Sequence, residues 1–97
     1  MKPHVHQFLD FATTSIGLNV SIEQVRVAEN SSWVSRSLKD LQIRREVGVI
    51  VLAIRRSDGQ MVFNPDAEAV VNGGDNLIAM GASDQLKKLE RILEGSR

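Results

Sequence analysis

Near the middle of the chain, Val49-Ile50-Val51-Leu52-Ala53-Ile54 runs for six residues without a polar side chain. The run is rich in β-branched residues and is bounded by Gly48 and by Arg55-Arg56, which reads as a strand. Successive side chains of a strand point to opposite faces, so an apolar run of this kind predicts burial on both. A chain of 97 residues has few layers with which to cover two faces. The covers available for the second face are another copy of the chain or a ligand.

The length fits one domain with a modest core. Twelve Lys and Arg balance twelve Asp and Glu, so net charge gives no pull toward a nucleic-acid polymer or an anionic membrane. Absence of cysteine excludes disulfide frameworks, thiol catalysis and thiolate metal sites, and suits a reducing cytoplasm. Four aromatic residues, Phe8, Phe11, Trp33 and Phe63, are too few for a base-stacking platform. No apolar run is long enough to span a bilayer, and Met1 to Leu9 lacks a signal-peptide core.

Periodicity and turn chemistry divide the chain. Val5, Phe8, Leu9, Ala12 and Ile16 recur at helical spacing, predicting an N-terminal connector helix within residues 1–19 that ends near Gly17. Residues 20–97 form the domain proper. Val20 to Glu29 alternates as a strand, with a phase shift between Ile22 and Val25 that predicts a bulge or a strand starting near Gln24. Ser37 is expected to cap a short helix bearing Leu38, Leu41 and Ile43, and Gly48 to end that segment. Asp58-Gly59 predicts a hairpin turn from the apolar strand into Met61–Phe63, which Pro65 stops by lacking an amide hydrogen. Asn72 to Asp75 is a second turn, Asn76 to Met80 a further strand, and Ser83 the expected cap of a last helix carrying Leu86, Leu89, Ile92 and Leu93. The order predicts an α+β fold, a small antiparallel or mixed sheet packed with helices.

These pieces resemble, in order and spacing, the C-terminal subdomain of RCK (regulator of potassium conductance) proteins, the TrkA C-terminal domain. The matching stretches are Val25 to Glu29, Ser37 to Leu41, Gly48 to Arg55, Asn64-Pro65-Asp66, Gly74 to Ile78 and Gly81, covering about three quarters of the chain from Ile22 to Leu93. The resemblance implies a cytoplasmic regulatory domain that pairs with a second copy of itself. Its further partners would be an RCK N-terminal subdomain and the membrane pore or transporter subunit of a potassium channel or uptake system. In one branch of the family a cyclic diadenylate nucleotide (cyclic di-AMP) sits across the dimer axis. The positions carried over are Ile43, Arg44, Ile50, Val51 and Pro65. A guanidinium grips phosphate bidentately, while aliphatic side chains and proline sandwich an adenine. Where that branch offers a polar amide this chain has Ile50, which cannot hydrogen-bond a base. The alternatives are a structural dimer cap without ligand, and the same module on another ion transporter.

Other candidate chemistry is weaker. Arg44-Arg45 and Arg55-Arg56 either frame an anion or stand as edge charges paired with Glu46, Asp58 or Asp66. His4 and His6, at i and i+2, do not share a helix face and lack a third ligand nearby. Asp58, Asp66 and Asp75 each sit in a turn, where the carboxylate caps backbone amides rather than a cation. Trp33 is expected in the core or at an interface. No nucleophile–base motif is present, so no catalytic residue, metal site or resident cofactor is expected; a cyclic dinucleotide remains the candidate effector.

Overall fold

A computed structural model of the chain describes residues 20–95. Four strands, β1 (Ser21–Arg26), β2 (Ile50–Arg55), β3 (Met61–Phe63) and β4 (Asn76–Gly81), form one sheet in the order β1-β4-β2-β3. Every pairing is antiparallel. Two four-residue helices, α1 (Leu38–Leu41) and α2 (Ile43–Glu46), and the longer α3 (Ser83–Leu93) complete the α+β domain. The expected connector helix and its histidines fall outside the described residues.

The core lies between one sheet face and the helices. Val25, Leu77 and Ile54 are aligned across β1, β4 and β2, and pack with Leu86, Leu89 and Leu93 of α3. Trp33 joins this core. The C-terminal carbonyls of α3, which lack partners within the helix, are taken up by the loop after β1. Ala28 N–H donates to Leu93 O at 2.8 Å, and Ser31 Oγ to Ile92 O at 3.1 Å.

Local chemistry explains most element boundaries. Ser37 Oγ accepts from Asp40 N–H at 3.1 Å and starts α1 as expected. The single helix read from Leu38 to Ile43 is instead two, because Gln42 adopts a left-handed conformation (φ 45°) and restarts the chain direction. Asp58 and Gly59 (φ 93°) close the β2–β3 hairpin, with Asp58 Oδ1 accepting from Gln60 N–H at 2.9 Å. The ladder stops at Phe63, before Pro65. At α3 the N-cap is Ala82 rather than Ser83, and Ala82 N–H is satisfied by Gln85 Oε1 at 3.0 Å.

The predicted bulge belongs to a different strand. β1 pairs with β4 without interruption from Ser21↔Gly81 to Arg26↔Asn76. Ile22 and Val25 differ in phase because they face opposite sides: Ile22 is exposed and Val25 buried. The register shift falls in β2, between Val51 and Ala53, leaving Leu52 as the extra residue.

Within the protomer β2 is covered on one face only, which leaves the second face of the apolar run to a cover from outside it. Helices cover one side of the sheet, and among the described residues no element covers the other. Ile50 is 42% exposed and faces that open side, in one row with Ile22 and Met80.

Candidate ligand-binding site

All five residues expected at a ligand site come together. Ile43 of α2, Ile50 and Val51 at the start of β2, and Pro65 after β3 line one open groove with Arg44, its volume about 520 Å³. Three devices build it. Gln42 breaks the helix so that Arg44 and Arg45 follow directly over the start of β2. Gly48 (φ 92°) turns the chain from α2 into β2, and a Cβ there would stand 2.5 Å from Gln85 Nε2. The segment after Pro65 is pinned to α1 where Leu38 and Lys39 N–H donate to Ala69 and Ala67 carbonyls, each at 2.9 Å.

The groove has two kinds of wall. Ile43 and Val49 are buried at its base, Val51 and Pro65 are half-buried, and Ile50 stands exposed at the lip. Lys39, Arg44 and Arg45 supply cations, and no lining residue is acidic. Arg45 Nη1 donates to Gln42 Oε1 at 3.3 Å. Arg44 makes no hydrogen bond or ion pair among the described residues. Unbalanced positive charge beside apolar side chains suits an anion that also carries an apolar or aromatic body.

Sequence reasoning missed Lys39 and Gln42 as parts of this groove, and named Arg45 only as half of a basic pair that could frame an anion. The Arg44-Arg45 pair was a visible signal for Arg45. Nothing local marks Gln42, because its backbone angle is one that glycine or asparagine more often adopts.

The other basic pair does not join the groove. Arg55 and Arg56 stand at the opposite end of β2, about 17 Å away at the rise of a strand. Arg56 is paired with none of Glu46, Asp58 or Asp66. Its Nη1 donates to Asp75 Oδ2 at 2.6 Å and to Val70 O at 2.8 Å. Asp75 is 1% exposed, and the same oxygen accepts from Asn72 N–H at 2.9 Å. This carboxylate therefore caps its own turn, as expected, while also holding the hairpin to it.

Among the described residues no helix is long and apolar enough to cross a membrane, and no group of three or more His, Asp or Glu side chains is placed to hold a metal.

Comparison with known proteins places this arrangement. Potassium channel protein 1 of Methanocaldococcus jannaschii is 35% identical over 69 residues, covering 71% of this chain and 20% of that protein. The K(+)/H(+) antiporter subunit KhtT of Bacillus subtilis is 27% identical over 88 residues, 91% of this chain and 51% of the subunit. The chain thus spans between a fifth and a half of the length of these relatives. Among solved structures, the RCK C domain of the potassium transport protein KtrA, in complex with cyclic di-AMP, superposes with a TM-score of 0.72 at 26% identity, covering 91% of this chain and 94% of that one. Residues 22–94 match the TrkA-C domain family, and the chain belongs to it.

Proposed function

We propose that this chain is the cytoplasmic ligand-sensing and dimerisation domain of a potassium channel or potassium uptake system. One observation carries the reading: the cationic groove ends at Ile50, which also begins the uncovered apolar face. A ligand in the groove and a second protomer on that face would share a boundary. The KtrA RCK C domain, similar over most of its length, is known with cyclic di-AMP bound. Arg44 and Arg45 here suit the phosphates of such a ligand, and Ile43, Val51 and Pro65 suit a base. The base would be held by packing alone on the Ile50 side.

The groove binds rather than reacts. Its lining supplies cations and apolar surface and no carboxylate or histidine to serve as a base. Regulation would come by population shift: the ligand favours one arrangement of the two protomers only as far as it binds that arrangement more tightly. The attached RCK N-terminal subdomain and membrane subunit would read out that change.

Calorimetric titration with cyclic di-AMP tests this directly. Saturable binding at one ligand per two chains, lost in Arg44→Ala with the fold intact, is the expected result. A dimer that takes up no cyclic di-AMP would leave a structural cap as the function, and a strict monomer would remove both readings.

A further inference from the structure

The uncovered face changes character along its strands. Its first row, Ile22–Met80–Ile50, is apolar; its second is Gln24–Ile78–Ala53–Phe63; its third is Arg26–Asn76–Arg55–Met61. None of these positions carries a carboxylate. Arg26 and Arg55 flank Asn76 from the strands on either side, their Cα atoms about 10 Å apart across two strand spacings. That separation lets both guanidiniums reach a point above the Asn76 carboxamide. Arg26, Asn76 and Arg55 also line one depression of about 610 Å³, walled by the turns at 56–59 and 72–75.

The charges here are not used up by the fold. Arg56, the next residue in the chain, is committed to Asp75 and Val70. The Arg55 side chain makes no hydrogen bond or ion pair among the described residues. Arg26 has Glu29 at 3.9 Å, with both side chains mostly exposed. Two acidic residues also line the depression: Asp58 is held in its turn by Gln60 N–H, and Glu29, whose carboxylate lies against Gly73 and Gly74, competes for Arg26. Two guanidiniums in one row repel unless something anionic lies between them.

The geometry points to an oxyanion site at this end of the sheet, in which Arg26 and Arg55 grip one phosphate group and Asn76 donates to it from below. Bidentate guanidinium contacts from two sides favour a multiply charged phosphate over a chloride-sized ion. The site lies at the far end of β2 from the cyclic-dinucleotide groove and does not depend on it.

A titration of the uniformly ¹⁵N-labelled chain followed by NMR tests the site. Inorganic pyrophosphate should shift the amides of Arg26, Arg55, Asn76, Gly73 and Gly74 saturably. The Arg26→Ala/Arg55→Ala double variant should weaken this binding by about tenfold or more, as expected for loss of charged hydrogen bonds. Glu29→Gln should tighten it, and Arg44→Ala should leave it unchanged. Tighter binding of a nucleoside diphosphate than of pyrophosphate would identify an esterified phosphate as the ligand; equal binding would identify the free anion. Well-dispersed spectra of the double variant exclude unfolding as the cause of its loss. Saturable shifts that survive in the double variant, or an absence of saturable shifts at these amides, would overturn the site. Arg44→Ala separates its failure from a failure of the groove.

Discussion

The two faces of the sheet are made from the same four strands and could hardly differ more. On one, Val25, Leu77 and Ile54 meet α3 and are almost wholly buried. On the other, Ile22, Ile50 and Phe63 are exposed, and the face ends in a row that carries Arg26 and Arg55. A strand sequence with apolar side chains in both phases therefore describes two different jobs. One phase holds the protomer together; the other is left for something outside it. Isolated exposed apolar residues are ordinary, but a contiguous set across adjacent strands marks an interaction surface.

The comparison breaks most sharply at matched positions. Leu77→Ala empties a fully buried site and should cost about 2–5 kcal/mol of stability in denaturant unfolding. Ile50→Lys, on the open face, should change the protomer's stability by less than about 1 kcal/mol. It should nevertheless turn a dimer into a monomer in light scattering. Equal destabilisation by the two variants would mean that the open face is already covered within one protomer.

The two adjacent arginines repeat the contrast on a smaller scale. Arg56 meets a carboxylate that is nearly inaccessible, whereas Arg55 faces the open side. Asp75→Ala leaves a guanidinium half-enclosed and the 72–75 turn uncapped. It should cost about 2–3 kcal/mol, less than a deeply buried pair because Arg56 retains some contact with water. Arg55→Ala should be close to neutral for stability. Thermal unfolding of both variants measures the difference, and a Tm for Asp75→Ala within a degree or so of the parent would show that the latch contributes little.

Which of these features could be read in the sequence follows from how local each one is. Ser37 capping Asp40, the Asp58-Gly59 hairpin and the stop before Pro65 depend on residues within a turn of one another, and all were legible. Gathering Ile43, Arg44, Ile50, Val51 and Pro65 around one groove required the spacing of a known family, since periodicity does not place α2 over the start of β2. The Arg56–Asp75 contact depends on two turns meeting across the sheet end, and nothing near Arg56 announces it. A bulge, or a strand start near Gln24, was read into β1 because alternation alone cannot distinguish a slipped strand from one with apolar residues on both faces. Partner registers make that distinction: β1 is continuous, and β2 carries the extra residue.

The smallest expected effect lies on the covered face, where Glu23 of β1 meets Glu90 of α3. The hydrogen bond to Glu90 raises the Glu23 carboxyl above its ordinary value, with desolvation and the neighbouring negative charge adding in the same direction. A carboxyl raised in this way binds its proton more tightly in the folded chain than in the unfolded one. Its contribution to stability therefore grows as pH falls from neutral through the raised value, and is complete below the unfolded value. Above that window the Glu23 carboxylate is charged in both states, and its charge beside Glu90 opposes folding. Glu23→Gln removes the titration while keeping a hydrogen-bonding group, so the variant should unfold at a slightly higher temperature than the parent at pH 7. That advantage should shrink toward pH 4, and added salt should reduce it at neutral pH because the pair is open to solvent. A constant difference in Tm across this pH range would mean that Glu23 acts through packing rather than charge, leaving the covered face without a titrating contact between β1 and α3.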